Sequence, residues 1–417
     1  MRLKTLFIAV CLTAVSALTA SAAENCAACH RVALQGVHRK LPCLSCHRDG
    51  NNILDDPAAI STGARGCTGC HKGYAALFSH AMGTRRGERE FVARSYGKSD
   101  PRFFGKNCNS CHLKGCLDCH GENGHRIIKG TVDSCLSCHK GYYTGSDYRG
   151  MAPREDNMRY QRGKEVGGER YLKMLPDVHF TAGLGCSACH SMQSMVDGRK
   201  AAKSCRDCHH INRKIIEHRI AAHLEKLECY ACHCAWGAQE YGTFFLRFKE
   251  SPSRDDYDLK GDMRDYVKSA YLKRQDTPPL GLNSRGRVSP IRPEFIAYFT
   301  DIDHDRPVGP ENRLLAAEWR AFFPHTVQRG TVTCEGCHDS PRRFILEQPE
   351  ERIYELRKDG MTLSSFWNRN GQKVVNGNFF PADRFRAMTS KSPAYRKAYV
   401  EKWKTPVNHV DISSPRW

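Results

Sequence analysis

Outside residues 1–23, the sequence lacks an apolar run of the roughly 20 residues that a membrane-spanning helix needs. It also lacks a folded nucleic-acid-binding motif that would explain its formal charge of +19. Cysteine is nearly absent outside one repeated pattern, since only Cys11 and Cys234 of the 22 cysteines lie elsewhere. We therefore expect a soluble mature chain without a transmembrane segment, and no nucleic-acid partner.

Residues 1–23 have the features of a secretory signal peptide. Two basic residues precede an apolar run over 6–18, and small residues at 21–23 suit cleavage. An uncleaved anchor is the alternative, although the run is shorter than a bilayer span. Cys11 lies inside this run and would be removed with it. We predict a protein of the periplasm, or one that is secreted to the cell surface.

The repeated pattern is Cys-x-x-Cys-His, and its densest stretch is CNSCHLKGCLDCH at 108–120. In an exported protein it is typical of c-type haem attachment. The two thiols join the two vinyl groups of one haem, and the following His supplies an axial nitrogen to the iron. A redox dithiol or half of a zinc site also uses Cys-x-x-Cys, but neither needs a His after every pair.

Ten copies of the pattern predict ten covalently attached haem c groups. The cofactor-binding cysteines are Cys26, Cys29, Cys43, Cys46, Cys67, Cys70, Cys108, Cys111, Cys116, Cys119, Cys135, Cys138, Cys186, Cys189, Cys205, Cys208, Cys229, Cys232, Cys334 and Cys337. The proximal iron ligands are His30, His47, His71, His112, His120, His139, His190, His209, His233 and His338. Cys234 follows a motif directly, and we expect it to be buried as a small apolar residue.

The 20 histidines include ten that lie outside the motifs. They are His38, His80, His125, His179, His210, His218, His223, His304, His325 and His409. A matched count of ten sites and ten further imidazoles predicts bis-histidine irons without an open position. His304 and His409 are the weakest of these candidates, and a nearby Met such as Met82, Met192 or Met195 could replace one of them.

The positive charge has a second explanation once haem is considered. Each ferric haem with ionised propionates adds roughly −1, so the oxidised mature protein would carry about +7 and the reduced one about −3. Many Lys and Arg side chains would then pair with propionates. The positive field that remains could steer acidic redox partners.

Motif density predicts the domain organisation. Residues 24–234 contain nine sites, which leaves little room for an apolar core other than the porphyrins. We expect mainly α-helix and irregular coil there, with little β structure. Residues 235–417 contain one site and all five tryptophans, and we expect a more conventional helical domain.

Four helices and one turn are predicted in this C-terminal domain. The helical patterns cover 262–275, 312–327, 350–358 and 393–404. Asn370-Gly371 is a hairpin turn signal.

The repeats over 26–338 resemble those of bacterial multihaem c-type cytochromes that respire metals or other external acceptors. The block HTVQRGTVTCEGCHDSPRRF at 325–344, with RIYELRKDGMTLSSFW after it, is similar to decahaem cytochromes found in selenite/tellurite-reduction-type gene clusters. This resemblance implies electron transfer across the cell envelope. It does not indicate which acceptor is used.

Three functions follow from these patterns. The first is electron transfer between envelope partners, such as cytochromes or quinol-linked donors, in anaerobic respiration or metal and metalloid reduction, without a catalytic residue. The second is a reductase of nitrite, hydroxylamine, a sulfur oxyanion or selenite, with one open iron at Cys334 near Arg342, Arg343 and His325. The third is a homo-oligomer in which His409 ligates an iron of the next subunit.

Overall fold

The protein is described from a computed structural model. The described residues are 35–46, 67–107, 113, 115–122, 126–137, 139, 147–148, 162–166, 169–173, 177–198, 201–235, 237, 243–245, 278–299, 302–303, 306–310, 313–330, 332–349 and 369–408. The chain forms two compact units. The first comprises Met1–Arg85, His112–Cys135 and Met192–Ala201, and the second comprises Arg86–Cys111, Leu136–Ser191 and Ala202–Trp417.

Most of the described helices are short. The α-helices are Ala81–Thr84, Arg86–Arg94, Phe103–Asn107, Leu117–His120, Val132–Leu136, Val178–Thr181, Met192–Asp197, Ile216–Arg219, Ala221–Lys226, Cys229–His233, Cys334–His338, Ala382–Thr389 and Pro393–Asn408. Single 3₁₀ turns are Gly36–His38, Cys43–Ser45, Ala75–Ser79, Tyr96–Lys98, Cys186–Ala188, Cys205–Asp207 and Pro341–Phe344. Within the ranges above, no helix is both long enough and apolar enough to cross a bilayer.

The described strands are β1 (Gly121–Glu122), β2 (Arg126–Ile127), β3 (Asp147–Tyr148), β4 (Arg162–Val166), β5 (Glu169–Lys173), β6 (Thr243–Phe245), β7 (Leu280–Asn283), β8 (Val288–Phe299), β9 (Ile302–Asp303), β10 (Arg306–Pro307), β11 (Arg313–Ala321) and β12 (Gly377–Phe379). The main sheet lies in the second unit, with antiparallel order β11-β8-β7-β12 and β6 parallel to β8. Strands β3, β5 and β4 form a smaller sheet, and β1–β2 and β9–β10 are ribbons.

The main sheet corrects the predicted fold class. The sequence predicts little β structure and a helical C-terminal domain, and both are wrong because a mixed α/β fold is present. Within the predicted helix 312–327, Arg313–Ala321 instead form the strand β11, and the residues after it have no helical structure. Its pairing with β8 shifts register between Leu314 and Ala316, and again between Glu318 and Trp319. Irregularities of this kind insert an extra residue, so apolar side chains lose the strict alternation of a strand and imitate helical spacing.

Other local predictions have mixed outcomes. The helix expected over 393–404 is confirmed and extends over Pro393–Asn408. A turn is present at Asn370-Gly371, where the Gln372 N–H donates to the Arg369 carbonyl at 3.3 Å and Gly371 has a φ of +70°. The predicted helices 262–275 and 350–358 and the signal peptide 1–23 lie outside the described residues. The division at 234 and 235 stays a prediction.

One Cys-x-x-Cys-His motif packs directly on the main sheet. Ala231, the third residue of the motif Cys229–His233, is fully buried. It belongs to an apolar cluster with residues of β7, the start of β8 and the chain around Phe344 and Phe380. The carbonyl of Ala231 also accepts a hydrogen bond from buried Arg343 at 3.2 Å. This motif is therefore held by a conventional protein core.

We predict that Ala231→Leu destabilises the holoprotein. The larger side chain has no room in the cluster, and overpacking of this kind costs about 1–3 kcal/mol in free energy of unfolding. Ala188 occupies the same motif position after Cys186 but is only half-buried, so Ala188→Leu is the matched control. Guanidinium unfolding followed by circular dichroism measures both variants, and equal losses would contradict the packing role.

Candidate haem iron sites

The described motifs adopt a single helical turn. The backbone N–H of the motif His donates to the carbonyl of the first Cys in four of them, at 2.9 Å for His71, 3.1 Å for His120, 2.9 Å for His190 and 2.8 Å for His209. Residues three and four apart in a helical turn lie on one face. Both thiols and the imidazole therefore point to the same side, as attachment to one flat haem requires.

Five motif imidazoles each face an imidazole from outside the motifs. The distances between ring centroids are 6.0 Å for His71 and His38, 5.9 Å for His209 and His179, 6.3 Å for His190 and His325, 6.0 Å for His233 and His218, and 6.3 Å for His338 and His223. Each pair joins one predicted proximal ligand with one predicted distal ligand. The first pair lies in the first unit, and the other four lie in the second unit.

The spacing of these pairs fits an iron between the two rings. An imidazole nitrogen binds a first-row metal at about 2 Å and lies about 1.2 Å from its ring centre, so two rings on opposite sides of one iron have centres about 6.4 Å apart. Two imidazoles joined by a direct N–H···N hydrogen bond would have centres about 5 Å apart. The observed distances match the first arrangement.

Five of these ten imidazoles are oriented through Nδ1. Nδ1 lies at hydrogen-bond distance from a backbone carbonyl in four cases: Phe323 for His325 (3.0 Å), Gln328 for His233 (3.1 Å), Met388 for His338 (3.2 Å) and Asn212 for His218 (3.2 Å). His179 uses the carboxylate of Asp177 at 2.9 Å. A carbonyl accepts from Nδ1–H, which leaves the lone pair on Nε2 for the iron.

Burial keeps several of these rings in the neutral form that binds iron. Burial, with a smaller effect of nearby His190, lowers the pKa of His325 to about 3. The pKa of His223 is lowered by burial and then by His338, and the pKa of His190 is lowered by burial. A neutral imidazole is the ligating species, so no proton has to be displaced at neutral pH.

A short backbone segment, 326–328, connects three of the ligand sites. Its Val327 carbonyl accepts from the Val178 N–H at 3.0 Å, and the Val327 N–H donates to Asp177, whose carboxylate also accepts from His179. On the other side, the Gln328 N–H donates to the His233 carbonyl at 2.7 Å. The segment therefore holds His179 and His233 in place directly after the ligand His325.

Cys234 lies in the same place and is buried, as the sequence predicts. Only 1% of its surface is exposed, and its thiol lies 3.8 Å from the Thr326 hydroxyl. It forms an isolated antiparallel bridge with Val327. Its role is therefore to pack under the segment 326–328.

Thiols of different motifs approach one another. The thiols of Cys205 and Cys229 hydrogen-bond, which raises the pKa of Cys205 and lowers the pKa of Cys229 to about 6. In the first unit, burial and then Cys67 raise the pKa of Cys116 to about 11. Burial and then Cys337 raise the pKa of Cys232 to about 12. The attachment points of neighbouring motifs are thus close, which favours closely spaced cofactors.

Six of the ten large apolar side chains that are exposed in the described part of the chain lie close in sequence to the candidate ligands. Each is within three residues of a paired His or a motif Cys: Val37, Leu41, Leu44, Phe180, Leu184 and Ile215. A bound porphyrin would cover apolar side chains of this kind. Together with the paired imidazoles, these residues fit the predicted haems.

The structure does not place every predicted ligand. His80 and His210 are exposed, and no imidazole in the described ranges faces either of them. His120 directs Nδ1 to the Ile128 carbonyl at 2.8 Å, and His139 lies near His325. The following lie outside the described residues: Cys26, Cys29, His30, His47, Cys108, Cys111, His112, His125, Cys138, His304 and His409.

No group of three or more His, Cys, Asp or Glu side chains that could hold a metal ion lies within the described part of the chain. The imidazole pairs offer two protein ligands each, and a haem iron needs two because the porphyrin supplies four nitrogens.

Comparison of the chain with protein-family models, curated proteins and solved structures finds no match.

We predict that Asp177→Asn changes both stability and one reduction potential. The carboxylate accepts from the His179 ring, the His179 N–H and the Val327 N–H, and an amide presents donors where acceptors are needed. The free energy of unfolding should fall by about 1–3 kcal/mol. Loss of the negative charge behind His179 should raise the potential of the haem that this imidazole ligates.

Guanidinium unfolding and a spectroelectrochemical titration measure these two effects. Thr181→Ala is the control, because it removes only the hydrogen bond of Thr181 to the Asp177 carbonyl in the same turn. The control should leave the titration unchanged. An unchanged titration in Asp177→Asn would show that the carboxylate does not act on an iron ligand.

Proposed function

We propose that this chain is an exported multihaem c-type cytochrome that carries electrons between redox proteins of the cell envelope. The observation that supports this most is the set of five imidazole pairs, each with one motif His and one His from elsewhere at iron-spanning distance. In all five pairs the ring that faces the motif His belongs to one of the ten histidines outside the motifs. With the other predicted sites, the loaded protein would hold ten haems.

Haem bound between two imidazoles supplies a one-electron couple without an open coordination position. The residues of the chain have three roles: the imidazoles would ligate the iron, the hydrogen bonds at Nδ1 orient the imidazole rings, and burial favours the neutral form of these rings. In the second unit, the thiols of Cys205 and Cys229 are close, so the sites at Cys205 and Cys229 are neighbours. Cys232 and Cys337 interact, so the sites at Cys229 and Cys334 are also neighbours. The sequence of sites Cys205, Cys229 and Cys334 is therefore a candidate electron route.

The alternative function is a reductase with one open iron. Its candidate site is the motif at Cys334, because this site stands alone in the C-terminal region. The proximal His338 there faces His223 with centroids 6.3 Å apart, which favours a closed iron. Arg343 is buried and donates to a backbone carbonyl, and His325 faces His190. These contacts support electron transfer over reduction of a substrate. The partners we propose are cytochromes or quinol-linked donors.

The test of the proposed function is His223→Ala in the holoprotein. Removal of this imidazole should open one of ten irons, with a high-spin EPR signal from about a tenth of the haem and carbon monoxide binding after reduction. His223→Met should restore a six-coordinate, low-spin iron with a raised potential, because a thioether favours the ferrous state. Optical and EPR spectra with and without carbon monoxide measure all three proteins.

Lys226→Ala is the matched control, since this exposed residue lies on the same helix as His223, Ala221–Lys226. Lys226→Ala should have the same spectra as the wild type, and carbon monoxide should change the spectrum of neither of these two proteins. If His223→Ala also stayed low-spin, the ligand assignment would be wrong. If the wild-type protein bound carbon monoxide at about a tenth of its haem, one iron would be open and the reductase would be favoured.

A further inference from the structure

The helix Pro393–Asn408 packs on one haem site and leaves its opposite face exposed. On the inner side, the Tyr395 ring lies 4.7 Å from the His338 ring, and the Tyr399 hydroxyl donates to Glu335 inside the motif Cys334–His338. Lys402 contacts Glu217 at 2.6 Å and lies 3.8 Å from the Cys334 thiol. The helix is therefore fixed to the residues that attach and ligate this haem.

A row of aromatic rings connects this site with the surface. The row begins at His338, which contacts Tyr395. The ring centroids of Tyr395 and Tyr399 are 5.8 Å apart, and those of Tyr399 and Trp403 are 6.2 Å apart. Tyr395, Tyr399 and Trp403 are spaced four residues apart, so they lie along one side of the helix. The Trp403 side chain is 45% exposed, and Val400 beside it is 52% exposed. Large apolar side chains at this exposure suit a protein contact.

Three basic residues surround these two apolar residues. Arg396, Lys397 and Lys404 are exposed, and at 100° per residue they share one face of the helix with Val400 and Trp403. The exposed carboxylate nearest to them in sequence, Glu401, is paired with Arg219. This face, which we call the basic helix face (Arg396, Lys397, Val400, Trp403 and Lys404), is therefore a cationic surface with an apolar centre.

We propose that the basic helix face is the docking surface for an acidic one-electron redox protein, which exchanges electrons with the haem attached at Cys334 and Cys337. The proposal rests on the proposed function. Charge complementarity selects the partner, because a cationic rim attracts an acidic surface and raises the association rate. In the exchange, one protein loses one electron and the other gains it, and no bond forms or breaks. Between a partner docked on this face and His338, the aromatic row would provide closely packed side chains.

Reduced plant-type ferredoxin, an acidic one-electron donor, serves as the probe. Stopped-flow mixing with the oxidised holoprotein at low ionic strength measures the rate constant of electron transfer. The double variant Lys397→Glu with Lys404→Glu should lower it at least tenfold, and most of the salt dependence of the wild-type rate should disappear. Trp403→Ala should lower the rate severalfold and leave its salt dependence in place.

The matched control is Lys98→Glu with Arg306→Glu. It makes the same change in net charge at two exposed residues on other elements. It should lower the rate by less than twofold. Equal losses in the two double variants would show that only net charge matters, and no loss in Lys397→Glu with Lys404→Glu would remove this face as a docking surface. Carbodiimide crosslinking should join Lys397 or Lys404 to ferredoxin carboxylates, and crosslinks only elsewhere would overturn the proposal.

Two further measurements separate the causes of a failure. Low-spin spectra that do not respond to carbon monoxide, in the wild type and in all variants, would show that the haem ligation stands even if docking fails. Sedimentation velocity of the holoprotein tests the other occupant of this face. A dimer that Trp403→Ala dissociates would assign the face to a second copy of the chain and overturn the acidic partner.

Discussion

The candidate sites depend on imidazole pairs whose ring centres lie 5.9–6.3 Å apart. Direct contact between rings at this separation contributes little, so the surrounding chain has to hold them. Five of the ten paired rings have a hydrogen-bond partner at Nδ1, and burial lowers the pKa of three of them. In the second unit, both rings of a pair often come from distant segments, as in His190 with His325 and His223 with His338.

The main sheet explains how such distant segments are brought to the same place. Strand β11 ends at Ala321, and the chain then runs without regular structure to His325, whose φ is +57°, and on to the segment 326–328. That segment pairs by backbone hydrogen bonds with the chain after His233 on one side and with Val178 on the other. A backbone ladder fixes positions without large side chains, which would leave room for the proposed porphyrins.

The candidate sites could be located from the sequence, because the proposed haem attachment depends on local spacing of Cys and His. The pairing of ligands could not, because partners such as His179 and His209 meet only through tertiary contacts. His210 directly follows a motif and is exposed, whereas Asp177 showed no pattern in the sequence and orients a ligand. The sheet was missed because the register shifts in β11 hide the alternation that identifies a strand.

The helices Ile216–Arg219 and Ala221–Lys226 show how spacing between two irons can be set locally. They supply His218 to the motif at Cys229 and His223 to the motif at Cys334. Only four residues therefore separate candidate ligands of two different sites, with Ile220 in extended conformation between the helices. Because the intervening chain is so short, two irons bound at these sites would have to lie close together. The Lys402–Glu217 pair ties the C-terminal helix to the helix Ile216–Arg219, so the aromatic row is attached to the same group of candidate ligands.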